Sequence, residues 1–252
     1  MTAKRVMQII YGLNPLIETL RGDPEGLIRI FLAYGKKGAA VKEIKELASL
    51  RGVEILFQGQ DALDRLTGCT HHQGVVAVCR EYRYASVEEV VDNRHSALQG
   101  DLILMVDGIT DPQNLGALIR TAHCFGANGV IVPAHRAAAV TPAVMKASAG
   151  AIRHIPVAMT INLGQVIDDL KMRQYWIFGA DARAEQEMAG MRFEGRIGLV
   201  VGSERKGIRP LIRKKCDFLF SLPMAGKIDS LNVSVAAGIV LYAIFKALKR
   251  EA

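Results

Sequence analysis

No two of the 24 glycines are separated by a single residue, so the G-x-G turn of a dinucleotide-binding fingerprint is absent. The phosphate-binding loop G-x-x-x-x-G-K-[ST] is absent too: Gly202 to Gly207 has its spacing, but Ile208-Arg209 follows where a lysine and a hydroxyl residue are needed. No G-x-S-x-G nucleophile elbow occurs. Nicotinamide-dependent enzymes, P-loop ATPases and ordinary serine hydrolases all lose support. The four cysteines, Cys69, Cys79, Cys124 and Cys216, form no C-x-x-C pair and have no histidine at ligand spacing. Neither a metal site nor a disulfide framework is signalled, which suits a reducing cytoplasm. The longest uncharged stretch, Ser230 to Phe245, is interrupted by Asn232 and Ser234 and falls short of the roughly 18 to 20 apolar residues of a membrane span. Near the start, Lys4-Arg5 precede an apolar run that Tyr11-Gly12-Leu13-Asn14-Pro15 breaks, with no small-residue cleavage site behind it. The expectation is a cytoplasmic protein with neither a membrane partner nor a metal.

Half of the 252 residues are hydrophobic and 23% are charged, enough to bury a sizeable core over one large or two small domains. The net charge of +7 favours a polyanionic partner. Its distribution is uneven: 12 basic against 9 acidic residues in 1–84, one against three in 85–99, and 19 against 13 in 100–252. The middle piece, with Ser86-Val87-Glu88-Glu89-Val90-Val91-Asp92-Asn93-Arg94, reads as a short polar helix or linker. It divides a domain of residues 1–84 from one of 100–252.

In the first domain, Leu27 to Ala33, Val53 to Phe57 and Gly74 to Cys79 have strand length and β-branched content. Between them, Leu13, Leu16, Ile17 and Leu20, then Val41, Ile44, Leu47 and Ala48, recur at helical spacing. The second domain repeats the alternation with strands at Leu102 to Val106, Gly129 to Val132, Tyr175 to Gly179 and Ile197 to Val201. Uniformly apolar strands alternating with helices predict an α/β fold with a mostly parallel sheet covered on both faces.

Ligands of such sheets sit beyond the carboxyl ends of the strands, which directs attention to two loops. The first runs from Asp107 through Asp111-Pro112 into a helix, with Asn114 as its N-cap candidate and Leu115, Leu118 and Ile119 as its buried stripe. Arg120 lies among apolar residues, roughly 1.7 turns beyond Asn114. The second, Gly202-Ser203-Glu204-Arg205-Lys206-Gly207, puts small residues and a carboxylate after an apolar strand. A third element, Leu222-Pro223-Met224 through Ser230-Leu231-Asn232-Val233-Ser234, enters a long final helix with Ser230 as N-cap candidate. Read singly, each is equally well a capped helix or a tight turn with solvated charges. Arg205, Lys206, Arg209, Arg213, Lys214 and Lys215 make a basic cluster that suits phosphates or a solvated face.

Together, in this order and spacing, the three elements resemble the SpoU group of the SPOUT methyltransferases over residues 102 to 249. Asn114 and Arg120 match the first family motif, Gly202-Ser203-Glu204 with Gly207 the second, and Pro223-Met224 with Ser230 to Ser234 the third. The resemblance implies a deep trefoil knot, a homodimer formed through the C-terminal domain, and S-adenosylmethionine as cofactor. It implies a cofactor pocket built by Val201, Gly202, Leu222, Met224, Ser230 and Leu231, and catalysis by Arg120 supported by Asn114 and Glu204, with Ser230 and Asn232 lining the site. A guanidinium is a poor base, so Arg120 is expected to clamp developing negative charge while Glu204 orients it or relays the proton.

Ile10 to Leu16 and His71-His72-Gln73-Gly74-Val75-Val76-Ala77 resemble the substrate-binding domain fused to such enzymes, itself similar to small ribosomal RNA-binding proteins. Of the two adjacent histidines, one at most faces RNA and a structural or turn role is the other reading. This architecture most resembles bacterial 23S rRNA guanosine-2′-O-methyltransferases. A tRNA 2′-O-methyltransferase, or a non-catalytic RNA-binding or ribosome-assembly protein of the same fold, is the competing expectation.

Overall fold

Short strands rich in β-branched residues and amphipathic helices alternate through the first part of the chain, in the order β1 (Gln8–Tyr11), α1 (Leu13–Arg21), β2 (Leu27–Ala33), α2 (Ala39–Leu50), β3 (Glu54–Gln58), α3 (Gln60–Thr67) and β4 (Val75–Cys79). This is a computed structural model describing residues 8–21, 26–80, 82–204, 206–226 and 230–249. It divides into one compact unit of residues 1–83 with 140–146 and another of 84–139 with 147–252. In the first unit, α1 buries Leu16, Ile17 and Leu20, and α2 buries Val41, Ile44 and Ala48, the stripes that helical spacing predicts. They cover a sheet of order β1-β4-β2-β3 in which β4 is antiparallel to β1 and β2, while β3 is parallel to β2. All five residues of β4 are buried, as a central strand requires.

The chain continues through α4 (Val87–Asp92), β5 (Asp101–Asp107), α5 (Pro112–Cys124), β6 (Gly129–Pro133), α6 (Pro142–Ala147), β7 (Val157–Thr160), α7 (Leu163–Met172), β8 (Tyr175–Ala180), β9 (Arg196–Gly202), α8 (Pro210–Lys215), β10 (Phe218–Phe220) and α9 (Val233–Leu248). The second unit's sheet has six strands, all parallel, in the order β10-β8-β9-β5-β6-β7. Every residue of β5 and β6 is buried, which is why these segments read as unbroken apolar runs. In register, Asp107 faces Gly202 and Val201 faces Ala180. The carboxyl ends of β5, β9 and β8 therefore open side by side, and the site is built there.

Three strands escape the sequence pattern. β1, β7 and β10 have four, four and three residues, too few to establish an alternation. The segment read as a short polar helix or linker holds the helix α4, closed by a reciprocal capping box between Ser86 and Glu89. Its Val90 and Val91 are buried in the core with Ile131 and Ala158 of β6 and β7. All four cysteines are free, and burial pushes the Cys79 and Cys216 thiols up to about 12, leaving both unreactive. Among the described residues, no helix is long and apolar enough to cross a membrane, and no group of three or more His, Cys, Asp or Glu side chains is placed to hold a metal.

Candidate active site

The loop after β5 turns into α5 with Asp111, not Asn114, as N-cap: its Oδ1 accepts from Gln113 N at 3.0 Å, and Pro112 occupies the first helical turn. Proline is preorganised for that position, which fixes the cap one residue before it. Asn114 is thereby freed from capping, and its side chain turns outward. The start of α9 carries the same correction. Asn232, not Ser230, is its N-cap, with Oδ1 accepting from Ser234 N at 2.9 Å and from Val235 N at 3.4 Å.

These two asparagines converge on one carboxylate. Glu204 Oε1 accepts from Asn114 Nδ2 at 3.1 Å, Asn232 Nδ2 at 2.7 Å and Val233 N at 3.2 Å. Asn232 Nδ2 also donates to Asn114 Oδ1 at 2.8 Å. One residue from each of the three motifs is thus joined in a single network, and the carboxylate's other oxygen, Oε2, makes no hydrogen bond among the described residues. Arg120 is not part of it. Its side chain is exposed on α5 and lines neither cavity described below.

The loop that presents Glu204 closes on itself. Gly207 N donates to Ser203 O at 2.8 Å and Ser203 N to Gly207 O at 3.2 Å, while Lys206 N donates to Ser203 Oγ at 3.2 Å. A Cβ on Gly202 would lie 2.1 Å from the Gly207 carbonyl carbon and 2.3 Å from Ile208 N. Glycine is needed there for the loop's own backbone packing. Arg205 and the stretch 227–229 lie outside the described residues.

Two cavities flank this loop. One, of about 540 Å³, is lined by Val201, Gly202, Leu222, Met224, Ser230 and Leu231, all six of the residues assigned to a cofactor pocket, together with Phe220, Asp181 and Arg183. The other, of about 510 Å³, is lined by Asp107, Thr110, Asp111, Asn114, His135, Arg136 and Arg209. Ser203, Glu204, Lys206, Gly207 and Val233 line both. Each volume lies within the roughly 300–1,000 Å³ range of small-ligand sites. The lining of the first includes the apolar side chains of Leu222, Met224 and Leu231 and the cations Arg183 and Lys206. These groups suit an aromatic base and a carboxylate, both of which S-adenosylmethionine carries.

Two buried carboxylates hold the floor, and motif reading did not single them out. Asp107, closing β5, accepts from Arg209 N at 2.7 Å and from Arg209 Nε at 2.6 Å. Asp181, just beyond β8, accepts from Arg183 N at 2.9 Å, Arg183 Nε at 3.3 Å and Arg213 Nε at 3.0 Å. Burial opposes ionisation of Asp181, but these hydrogen bonds and the arginine charges outweigh it and hold the carboxyl below the usual carboxylate range. A carboxylate closing an apolar parallel strand was the signal available for both. In the basic cluster, read as suiting phosphates or a solvated face, Arg209 and Arg213 pair with Asp107 and Asp181, and Lys215 with Asp168. Lys206 lines both cavities and Lys214 is exposed.

Known proteins resemble this chain over most of its length. Residues 101–242 match the SpoU rRNA methylase family, and residues 9–85 match the RNA 2′-O ribose methyltransferase substrate-binding family. The chain is 40% identical to a putative TrmH family tRNA/rRNA methyltransferase, YacO, of Bacillus subtilis, covering 94% of both chains. It is 37% identical to the 23S rRNA (guanosine-2′-O-)-methyltransferase RlmB of Xanthomonas campestris, over 93% of this chain and 94% of that one. Among solved structures, the SpoU methyltransferase AviRb from Streptomyces viridochromogenes in complex with AdoMet is 25% identical, with a TM-score of 0.61 over 95% of this chain and 89% of that one. With its three motifs gathered around Glu204 and its sheet and both domains matched, the chain belongs to the SpoU rRNA methylase family.

Proposed function

We propose that this protein transfers the methyl group of S-adenosylmethionine to the 2′-hydroxyl of a guanosine ribose in 23S ribosomal RNA, and that it does so in the cytoplasm as a homodimer. The observation that carries the reading is the shared wall. The cavity that fits the cofactor and the cavity beside Asn114 meet at Ser203, Glu204, Lys206, Gly207 and Val233, so a ligand in each would place donor and acceptor on opposite sides of one carboxylate. The family resemblance to the 23S enzymes supplies the substrate, and it carries the trefoil knot as well.

When bound, S-adenosylmethionine supplies an electrophilic methyl group on sulfur. The chain's part is alignment and proton handling. Val201, Gly202, Leu222, Met224, Ser230 and Leu231 hold the cofactor, with Arg183 and Lys206 as cations for its carboxylate. As the ribose oxygen forms its bond to the methyl carbon, the carbon–sulfur bond breaks and the hydroxyl proton leaves. Glu204 Oε2 is the acceptor positioned for that proton, because Asn114, Asn232 and Val233 N fix the carboxylate through Oε1 alone.

Arg120, the residue that the resemblance makes catalytic, stands outside both cavities, which supports a site completed by a second chain. α9 exposes a stripe at helical spacing, Val235, Ile239 and Tyr242, at 51%, 42% and 54%, and α9 packs beside α5 where Gly238 meets Thr121. A second copy covering this stripe would lie next to the residue after Arg120. In the dimer Arg120 serves the partner's site, clamping the negative charge that develops on the ribose oxygen.

The test is methyl transfer from labelled S-adenosylmethionine to unmodified 23S RNA and to unmodified tRNA, with cofactor binding followed by calorimetry and the product mapped by resistance to alkaline cleavage. One protected linkage 3′ of a guanosine in 23S RNA is expected. Failure to bind the cofactor, or transfer to tRNA alone, would overturn the proposal.

A further inference from the structure

The topology of the first unit gathers a second set of chemically distinctive residues. Because β4 runs antiparallel to β1 and β2, and β3 parallel to β2, the carboxyl ends of three strands and the start of β4 share one sheet edge. Hydrogen bonds tie that edge together: Gly12 N to Val75 O at 3.1 Å, Ala33 N to Gly74 O at 2.9 Å, and Tyr34 N to Gln58 O at 3.0 Å. Two tyrosines stand on it. Tyr34, directly after β2, is 72% exposed, and Tyr11, ending β1, is 42% exposed. β1 and β2 flank β4, so their backbones lie roughly 10 Å apart, two strand spacings.

The edge is built to hold its shape. Cys69, in the turn after α3, is held by Thr67, whose Oγ1 donates to Cys69 O at 2.8 Å and accepts from Cys69 N at 3.3 Å. Buried His72 bonds Asp64 at 2.8 Å through Nε2 and accepts from Gly74 N at 3.0 Å through Nδ1. This pins Gln73 in a left-handed conformation with φ 55. Gln73 Oε1 accepts from Leu13 N at 3.0 Å, which leaves its amide NH₂ as a donor. Lys36 lays its stem against Gly74, with Cδ 3.3 Å from the position a Cβ would take. Neither Lys36 nor Lys37 has an ion-pair partner among the described residues.

We propose that this edge is a binding surface for unpaired nucleotides of RNA, with Tyr11 and Tyr34 as stacking platforms, Lys36 and Lys37 on the phosphates and the Gln73 amide on a base edge. Each exposed ring presents a π-face on which a base can stack. A base in a continuous duplex offers no free face to such a ring, so the chemistry selects loops and bulges over paired stems. The inference deepens the methyltransferase reading, because it names the substrate feature the first unit recognises.

The experiment uses the full chain and two fluorescein-labelled RNAs of equal length, a hairpin with an unpaired loop and a fully paired duplex, with affinity read by anisotropy. Tyr34→Ala is expected to weaken hairpin binding about 5- to 100-fold, and Tyr34→Phe, which keeps the ring, to stay within about twofold. Replacing Lys36 and Lys37 with alanine should lower the slope of log affinity against log salt by about 0.7 per lysine. Thermal midpoint and S-adenosylmethionine affinity should not move, and in turnover KM should rise while kcat holds. Hairpin affinity unchanged in Tyr34→Ala, or a duplex bound as tightly as the hairpin, would overturn the proposal. Absence of methyl transfer by the unmodified chain would instead sink the catalytic reading and leave the binding result intact.

Discussion

Asn114 and Glu204, ninety positions apart in the chain, meet at 3.1 Å between Nδ2 and Oε1. Asn232 completes a triangle with both, at 2.8 Å and 2.7 Å. Each asparagine reaches the carboxylate because of a detail of capping. At α5 the cap is taken by Asp111, which frees the Asn114 amide. At α9 Asn232 caps with Oδ1 and keeps Nδ2 for the network.

Replacing Glu204 separates charge from shape. Glu204→Gln retains an oxygen able to accept the same three hydrogen bonds but carries no charge, and charge-assisted bonds are roughly twice as strong as neutral ones. Cofactor affinity is expected to hold within about threefold, while the single-turnover rate falls about 10²-fold, the scale of losing a general base. Glu204→Ala should lose at least as much rate. A Glu204→Ala enzyme with near-normal turnover would remove the carboxylate from the mechanism.

Arg120 offers a test of shared sites. The side chain is exposed in a single chain, so Arg120→Ala should leave the thermal midpoint unchanged and abolish turnover. Arg120→Lys keeps charge but not the planar fork, and is expected to retain under a hundredth of the activity. Mixing Arg120→Ala chains with chains inactivated at Gly202 should restore activity, because one mixed site then has both an intact cavity and an intact arginine. No recovery on mixing would place Arg120 in its own chain's site.

At Gly202 the expected damage is steric. An added methyl would sit 2.1 Å from the Gly207 carbonyl carbon, so the 203–207 loop must open. Overpacking of this kind costs about 1–3 kcal/mol. Gly202→Ala should therefore lower the melting temperature and weaken S-adenosylmethionine binding together, and Gly202→Val should do more. Calorimetry showing unaltered affinity in Gly202→Val would detach this loop from cofactor binding.

The strands of the parallel sheet were legible because burial on both faces makes them continuous apolar runs, as at Leu102–Val106 and Ile197–Val201. The six residues that the resemblance assigns to the cofactor line one cavity. The caps were misplaced at both helices for a shared reason: two cap-competent residues stand close together, and only the backbone path chooses between them. Asp111-Pro112 carried the better clue, since a proline at the first helical position leaves the preceding residue as cap. Arg120 was legible as a residue but not as a position. Helical phase says which way it leaves α5, and nothing in one chain's pattern says what lies opposite. The paired state of Arg209 and Arg213 was hidden because their carboxylates, Asp107 and Asp181, lie 102 and 32 positions away.

Asp181 links the cofactor cavity to acid stability. Its folded pKa lies below the usual carboxylate value because two arginines bond the ionised form. The unfolded chain therefore binds a proton more readily than the folded one, and stability falls as pH drops from the unfolded value near 4 through the lower folded value. Above that window the contribution is fully present. Asp181→Asn removes it and leaves Arg183 and Arg213 facing a neutral amide. The expected loss at pH 7 is about 1–2 kcal/mol, the scale of charge-assisted hydrogen bonds lost while the partly exposed arginines stay hydrated. Denaturant titrations of the wild type and Asp181→Asn at pH 7 and pH 3 should show the gap between them narrowing at the lower pH. A gap that stays constant across that range would mean that Asp181 is not held ionised by its arginines. Because Arg183 lines the cavity proposed for the cofactor and, among the described residues, is anchored through Asp181 and Lys206 O, the same substitution should also weaken cofactor binding at pH 7.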